Sequence, residues 1–185
     1  MFRFAVSDED QEYFDIPAPW GSVRLSSALG ELWSIAFNLD APQQEKRTNS
    51  TLIRWADLVD TTLHSGKSIS PQDRADLFAT HRWQALSPVS RTVLEIVSRI
   101  PCGQFLTYSQ IAEAIEKPKA VRAVARILAS NPFPILIPCH RIVSKSMLET
   151  MDMTNPKSFE GAAFGGRSEF VPIGAWLRIN DLAHV

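Results

Sequence analysis

The sequence predicts an α+β protein: a small N-terminal α/β domain with an antiparallel sheet, followed by a helical domain. Two observations carry that class. The first 40 residues read as strands and turns, and after them apolar residues recur at helical spacing, element after element. At 185 residues and 45 % hydrophobic, the chain can bury one substantial core, or two small ones of roughly 85 to 100 residues each. We place the boundary near residue 85, giving domains over 1–85 and 86–185.

"GSVRLSSA" alternates Val23 and Leu25 with polar neighbours, and "LWSIAFNL" follows a turn at Gly30, which predicts a hairpin. "APQQEKRTNS" is a polar loop. In "TLIRWADLVDTTLHSG" apolar residues at 52, 55, 58, 59 and 63 predict a helix that stops at Gly66. "GKSISPQDRAD" reads as a second loop. Ser87 and Pro88 then provide an N-cap and a proline at the first helical position. Val89, Val93, Ile96, Val97 and Ile100 continue that helix until Pro101 and Gly103. Thr107 and Gln110, flanking Tyr108 and Ser109, fit a capping box that opens the short helix "YSQIAEAI". Glu116 to Pro118 separate it from "KAVRAVARILAS", which ends before Asn131 and Pro132. So tight a connection between short helices resembles a helix-turn-helix.

The opening "MFRFAVSDEDQEYF" has acids where a secretory signal needs an apolar stretch, and no segment approaches the ~18 apolar residues of a membrane span. A soluble, intracellular protein is expected, nuclear in a eukaryote and otherwise cytoplasmic. Two cysteines, Cys102 and Cys139, are too few for a disulfide scaffold or a structural zinc site. The net charge of −1 hides an asymmetry. From Lys117 to Leu148 there are six basic residues (Lys117, Lys119, Arg122, Arg126, Arg141, Lys145) and no acid, leaving 13 basic against 20 acidic elsewhere. Lys119, Arg122 and Arg126 share one helix face, opposite Val121, Val124 and Leu128. Such a face suits a polyanion, although charged runs also occur as plain solvated surface.

"PILIPCHRIV" sets a thiol, an imidazole and a guanidinium in an apolar run. A buried cysteine is most often an inert small hydrophobe. A free thiol, with a pKa of ~8.5, is only a few per cent ionised at neutral pH, and burial lowers that fraction. A neighbouring imidazole and guanidinium would oppose burial; a shift of about 2 units needs about 2.7 kcal/mol of thiolate stabilisation. The result would be a soft, poorly hydrated nucleophile suited to attack on carbon.

"NPFPILIPCHRIV" carries the N-P-x(5)-P-C-H-R-[IV]-V signature, with "LTYSQIA" and "AVRAV" upstream at matching distances. In these motifs, from about Ser87 to Val143, the chain resembles the O6-alkylguanine-DNA alkyltransferases, also called methylated-DNA-protein-cysteine methyltransferases. The resemblance implies a winged-helix-like helix-turn-helix that binds the minor groove and a guanine flipped into a reactive pocket. It implies a single-turnover, irreversible alkyl transfer to Cys139. His140 matches the base that relays the thiol proton through a water, and Asn131 the residue that orders the segment before the cysteine. Tyr108 matches the tyrosine that crowds the target phosphate and is available to protonate the leaving guanine. Arg122 matches the arginine that fills the gap left by the flipped base. With Tyr108 and Arg122, the residues Ser109, Lys119, Arg126 and Lys145 complete the expected DNA contacts. "WLRIND" looks like the final helix, which puts Asp181 where the family has a glutamate supporting the histidine.

Departures accompany the match. The family's short Gly-Tyr-x-Gly-Gly loop is replaced after Val143 by a longer segment, in which Gly165, Gly166 and Phe164 are the nearest counterparts. "AVAR" replaces a glycine-rich turn with Ala125 and Arg126, and the zinc-binding cysteines of some relatives are absent. No metal and no cofactor are expected. The expected partner is double-stranded DNA containing O6-alkylguanine, met by a monomer without a membrane. Two other readings stay open: a non-enzymatic lesion-binding module like the alkyltransferase-like proteins, which commonly carry Trp in place of the cysteine, and a Cys-His thiol hydrolase.

Overall fold

The computed structural model describes residues 12–42, 49–152, 155, 158 and 171–184. Gly165, Gly166 and Phe164 lie outside them. The chain forms two compact units. One holds the residues up to Asp60 together with Pro71–Ala85; the other holds Thr61–Ser70 with the chain from Leu86 onward.

The first unit is built on an antiparallel sheet of β1 (Glu12–Ala18), β2 (Gly21–Ala28) and β3 (Glu31–Asn38), in that order. Leu29 and Gly30 join β2 to β3 with φ of 57° and 76°, the two positive values of a type I′ hairpin turn. At Gly21 a Cβ would sit 2.4 Å from the carbonyl oxygen of Asn38, so only glycine fits between β2 and the end of β3. Asp15 and Arg24 are cross-strand partners and form a bidentate pair at 2.8 and 2.7 Å. Helix α1 (Ser50–Ser65) contributes Leu52, Trp55, Ala56 and Val59 to the core with Val23, Leu25, Leu32 and Ile35 of the sheet.

In the segment read as the loop "GKSISPQDRAD", residues 66–70 lie outside any helix as expected, but residues 71–76 are helical. Helix α2 (Pro71–Ala79) starts with its proline at a position that needs no N–H, buries Leu77, and pairs Asp73 and Asp76 with Arg54 at 2.9 and 2.6 Å. A single turn, α3 (His81–Gln84), follows, and Trp83 stacks on Phe78 with centroids 3.9 Å apart.

In the second unit α4 (Pro88–Val97) has the expected cap, the Ser87 hydroxyl accepting the N–H of Ser90 at 3.2 Å. Strand β4 (Leu106–Thr107) leads into α5 (Tyr108–Ala114) through the capping box: the Gln110 N–H donates to Thr107 Oγ1 at 3.2 Å, and the Thr107 N–H to Gln110 Oε1 at 2.7 Å. Glu116, with φ 58°, turns the chain into a 3-10 turn (Pro118–Ala120) and α6 (Val121–Ala129). Val124 and Leu128 are buried, whereas Lys119, Arg122 and Arg126 are exposed. Beyond a second 3-10 turn (Cys139–Arg141), β5 (Ile142–Val143) pairs in parallel with β4.

Residues 145–150, read as part of a long loop, form α7 (Lys145–Thr150), capped by Ser144, whose Oγ accepts the Met147 N–H at 3.1 Å. The last helix is α8 (Val171–Leu182). Phe105, Val143 and Ala175 form a local core with Met147, Leu148, Ile179 and Leu182 around it. No helix among the described residues is long and apolar enough to cross a membrane.

Candidate active site

The parallel pair of β4 and β5 joins Leu106 to Ile142 and Thr107 to Val143. It therefore ties the residue before Tyr108 to the strand that directly follows the Cys-His-Arg turn. Two pieces of chain about 35 residues apart are brought to one place by four residues.

The approach to Cys139 is braced by Asn131. Its Oδ1 accepts the Phe133 N–H at 3.0 Å, and its Nδ2 donates to the Ile137 carbonyl at 2.9 Å. The Ile137 N–H closes the turn on the Phe133 carbonyl at 2.9 Å. Inside it Ile135, a buried β-branched residue, is held at φ 76°, a conformation that costs on the order of 1–3 kcal/mol and persists only when its surroundings enforce it.

Cys139 is half-buried and unbonded to another cysteine. Burial raises its thiol above the ordinary range, while the Asn131 amide, backbone N–H groups and the charge of Arg178 act in the opposite sense. Tyr108, the first residue of α5, is half-buried too, and burial is the main cause of its raised hydroxyl. Ser109, Lys119, Arg122, Arg126 and Lys145 are all exposed, with Lys145 in the first turn of α7.

His140, Arg141 and Asp181 form a buried cluster, with exposures of 3, 1 and 2 %. The Asp181 carboxylate accepts Arg141 Nε at 2.6 Å and Nη2 at 2.9 Å, and faces His140 Nε2 at 3.2 Å. Arg141 also donates to the Gly66 carbonyl at 2.7 Å, the Ile100 carbonyl at 2.7 Å and Ser68 Oγ at 2.9 Å. Asn180 anchors α8 to the Leu63 carbonyl at 2.6 Å. These bonds hold Thr61–Ser70 in the second unit. Burial alone would raise the Asp181 carboxyl, but the hydrogen bonds and charges of His140 and Arg141 outweigh it and hold it at about 2. His140 is pushed down, chiefly by burial and despite Asp181, so the imidazole is neutral at pH 7.

A neutral imidazole next to a carboxylate has one sensible tautomer: Nε2–H donates to Asp181, and Nδ1 keeps its lone pair. Nδ1 is buried and has no hydrogen-bond partner among the described residues. The cation expected behind the thiol is a correction. Arg141 is consumed by Asp181 and three further acceptors, and the guanidinium whose charge acts on Cys139 is that of Arg178 on α8. The sequence carries one signal for it, a lone arginine in the otherwise apolar "IGAWLRI", three residues before Asp181. No group of three or more metal-ligating side chains occurs among the described residues.

Residues 88–155 match the family model described as "6-O-methylguanine DNA methyltransferase, DNA binding domain". A constitutive methylated-DNA–protein-cysteine methyltransferase of Bacillus subtilis is 33 % identical over 128 residues, 64 % of this chain and 77 % of that protein. A probable methylated-DNA–protein-cysteine methyltransferase of Acanthamoeba polyphaga mimivirus is 50 % identical over 60 residues, 32 % of this chain. The chain spans 40 % or less of the length of the mimiviral protein and of two bacterial relatives. The crystal structure of Mycobacterium tuberculosis O6-methylguanine methyltransferase superposes with a TM-score of 0.66 at 17 % identity, covering 95 % of this chain and 94 % of that one, which establishes the shared α+β fold. The chain belongs to the methylated-DNA–protein-cysteine methyltransferase family.

Proposed function

We propose that this chain repairs O6-alkylguanine in double-stranded DNA by moving the alkyl group, once and irreversibly, onto Cys139. The observation that carries this reading is His140: fixed through Nε2 by Asp181, neutral, and left with a buried Nδ1 lone pair in the residue next to the thiol. The thiol proton passes to Nδ1 through a bridging water. The sulfur then attacks the alkyl carbon; the S–C bond forms, the C–O6 bond breaks, and its electron pair stays on the guanine, which takes up a proton. Tyr108 gives that proton, a role supported by a hydroxyl that burial keeps protonated. Asn131 holds the segment that presents the sulfur.

Residues 86–185, together with Thr61–Ser70, act as the DNA-binding and alkyl-acceptor domain, and the rest of residues 1–85 as its structural support. Helices α5 and α6 work as a helix-turn-helix, with Tyr108, Ser109, Lys119, Arg122, Arg126 and Lys145 on the DNA and Arg122 in the gap left by the flipped base. The protein acts as a monomer. The test is incubation with duplex DNA carrying radiolabelled O6-methylguanine. Label is expected on Cys139 in a one-to-one ratio; transfer no greater than that of Cys139→Ala sinks the reading. Tight binding of alkylated DNA without a covalent product would instead mark a lesion-binding protein.

A further inference from the structure

At the reactive turn one buried cation has no carboxylate to match it among the described residues. Asp181 is matched by Arg141 and His140 is neutral, so this cluster carries no net charge. Arg178 adds a second guanidinium, 1 % exposed. Its Nε donates to the His140 carbonyl at 2.9 Å, which fixes the group against the backbone of the reactive turn. Its Nη1 is buried without a hydrogen-bond partner, and no carboxylate among the described residues pairs with it. A buried cation left so costs several kcal/mol.

We propose that Arg178 is the fixed counter-charge of the Cys139 thiolate, a positioning residue that acts through the sulfur and does not touch the alkyl group. This deepens the alkyl-transfer reading and rests on it for its purpose, though not for its measurement. Tyr108 and Cys139 are the groups whose charges act favourably on Arg178. Burial raises both the Tyr108 hydroxyl and the Cys139 thiol, so neither is charged at rest, and the sulfur is the one that gives up its proton in the reaction and becomes an anion. The other groups facing the thiol, Asn131 and the His140 backbone, supply hydrogen bonds without charge. Asp181 and Arg141 sit behind His140 and cancel. Ionisation sends the thiol proton to His140 and leaves a guanidinium–thiolate pair; alkyl transfer then consumes the negative charge as the S–C bond forms.

The experiment labels the full-length protein with iodoacetamide from pH 6 to 10 and reads the Cys139 peptide by mass spectrometry, so that Cys102 does not interfere. Arg178→Met is expected to move the Cys139 midpoint up by about one pH unit, which lowers labelling at neutral pH about tenfold, and Arg178→Lys to restore most of it. Coincident profiles for the wild type and a folded Arg178→Met overturn the pairing. If Arg178→Met does not fold, the wild type decides: guanidinium NMR resonances of Arg178 must titrate with the Cys139 midpoint, and resonances flat across it overturn the pairing. Iodoacetamide needs no DNA. A shifted profile in a protein that takes no alkyl group from DNA would therefore sink the repair reading and leave the pairing standing.

Discussion

Asp181 grips Arg141 more fully than it grips His140: both carboxylate oxygens meet the guanidinium, at 2.6 and 2.9 Å, and one meets the imidazole at 3.2 Å. The acid is thus first a partner for a buried cation and second an orienter of the base. Asp181→Asn should leave Arg141 uncompensated and cost about 3–5 kcal/mol of stability by urea unfolding. The double change Arg141→Met with Asp181→Leu should recover much of that loss, because replacing both members of a buried pair removes the stranded charge. A single-variant loss below about 1 kcal/mol would show that Arg141 is satisfied without its acid.

The same cluster sets the acid limit of stability. Asp181 lies at about 2 in the folded chain against an ordinary 3.8, so its contribution of about 2 kcal/mol is complete above pH 3.8 and is lost as pH falls towards 2. His140 is also lowered from 6.5, by burial; in the unfolded chain it takes up a proton that the fold resists, so stability also declines as pH falls below 6.5. Urea midpoints should be flat above neutrality, fall gently below pH 6.5 and fall steeply between 4 and 2. His140→Asn should abolish the first decline and keep the second. A midpoint that rises on acidification to pH 5 would contradict the His140 assignment, and one that stays flat from pH 4 to 2 the Asp181 assignment.

Leu29 is 63 % exposed at a φ of 57°, in the first central position of the β2–β3 turn. An L-residue other than Gly, Asn or Asp pays for that conformation, and this leucine buries little in return. Leu29→Asn should stabilise the protein by about 0.5–1 kcal/mol, read as a higher urea midpoint at unchanged slope. A lower midpoint would mean that the side chain packs in solution.

Short-range signals were the legible part of this fold. The capping box of Thr107 and Gln110, the Ser87 and Pro88 start of α4 and the glycine of the β2–β3 turn each act within four residues, and each is found where the spacing puts it. Helix α2 was not legible because its sequence is polar and Leu77 is its buried anchor. Strands β4 and β5 are two residues each and exist only as partners. The role of Arg141 was misread for a geometric reason. Cys139, His140 and Arg141 form a 3-10 turn, in which successive side chains point about 120° apart. Adjacency to the thiol in sequence therefore places Arg141 on a different side from it, where Asp181 waits. Arg178, 39 positions away in sequence, meets the reactive turn at the His140 carbonyl through the packing of α8.

The exposed basic face of α6 gives the last prediction, in which two kinds of contact separate. Arg122 and Arg126 of α6, and Lys119 in the 3-10 turn before it, are exposed, whereas Val124 and Leu128 are buried. A residue that only neutralises a phosphate releases a counterion, so Lys119→Ala should weaken DNA binding modestly and lower the slope of log K against log salt by about 0.9. A residue that fills the gap of an extruded base offsets unstacking, and its loss is felt only when a base must leave a duplex. If Arg122 supplies even about 1.4 kcal/mol of that offset, Arg122→Ala slows transfer from duplex O6-methylguanine about tenfold. Transfer from free O6-benzylguanine, which needs no flipping, should change little. Equal losses on the two substrates would place Arg122 in the pocket or the fold, and a slope unchanged in Lys119→Ala would take that lysine off the phosphates.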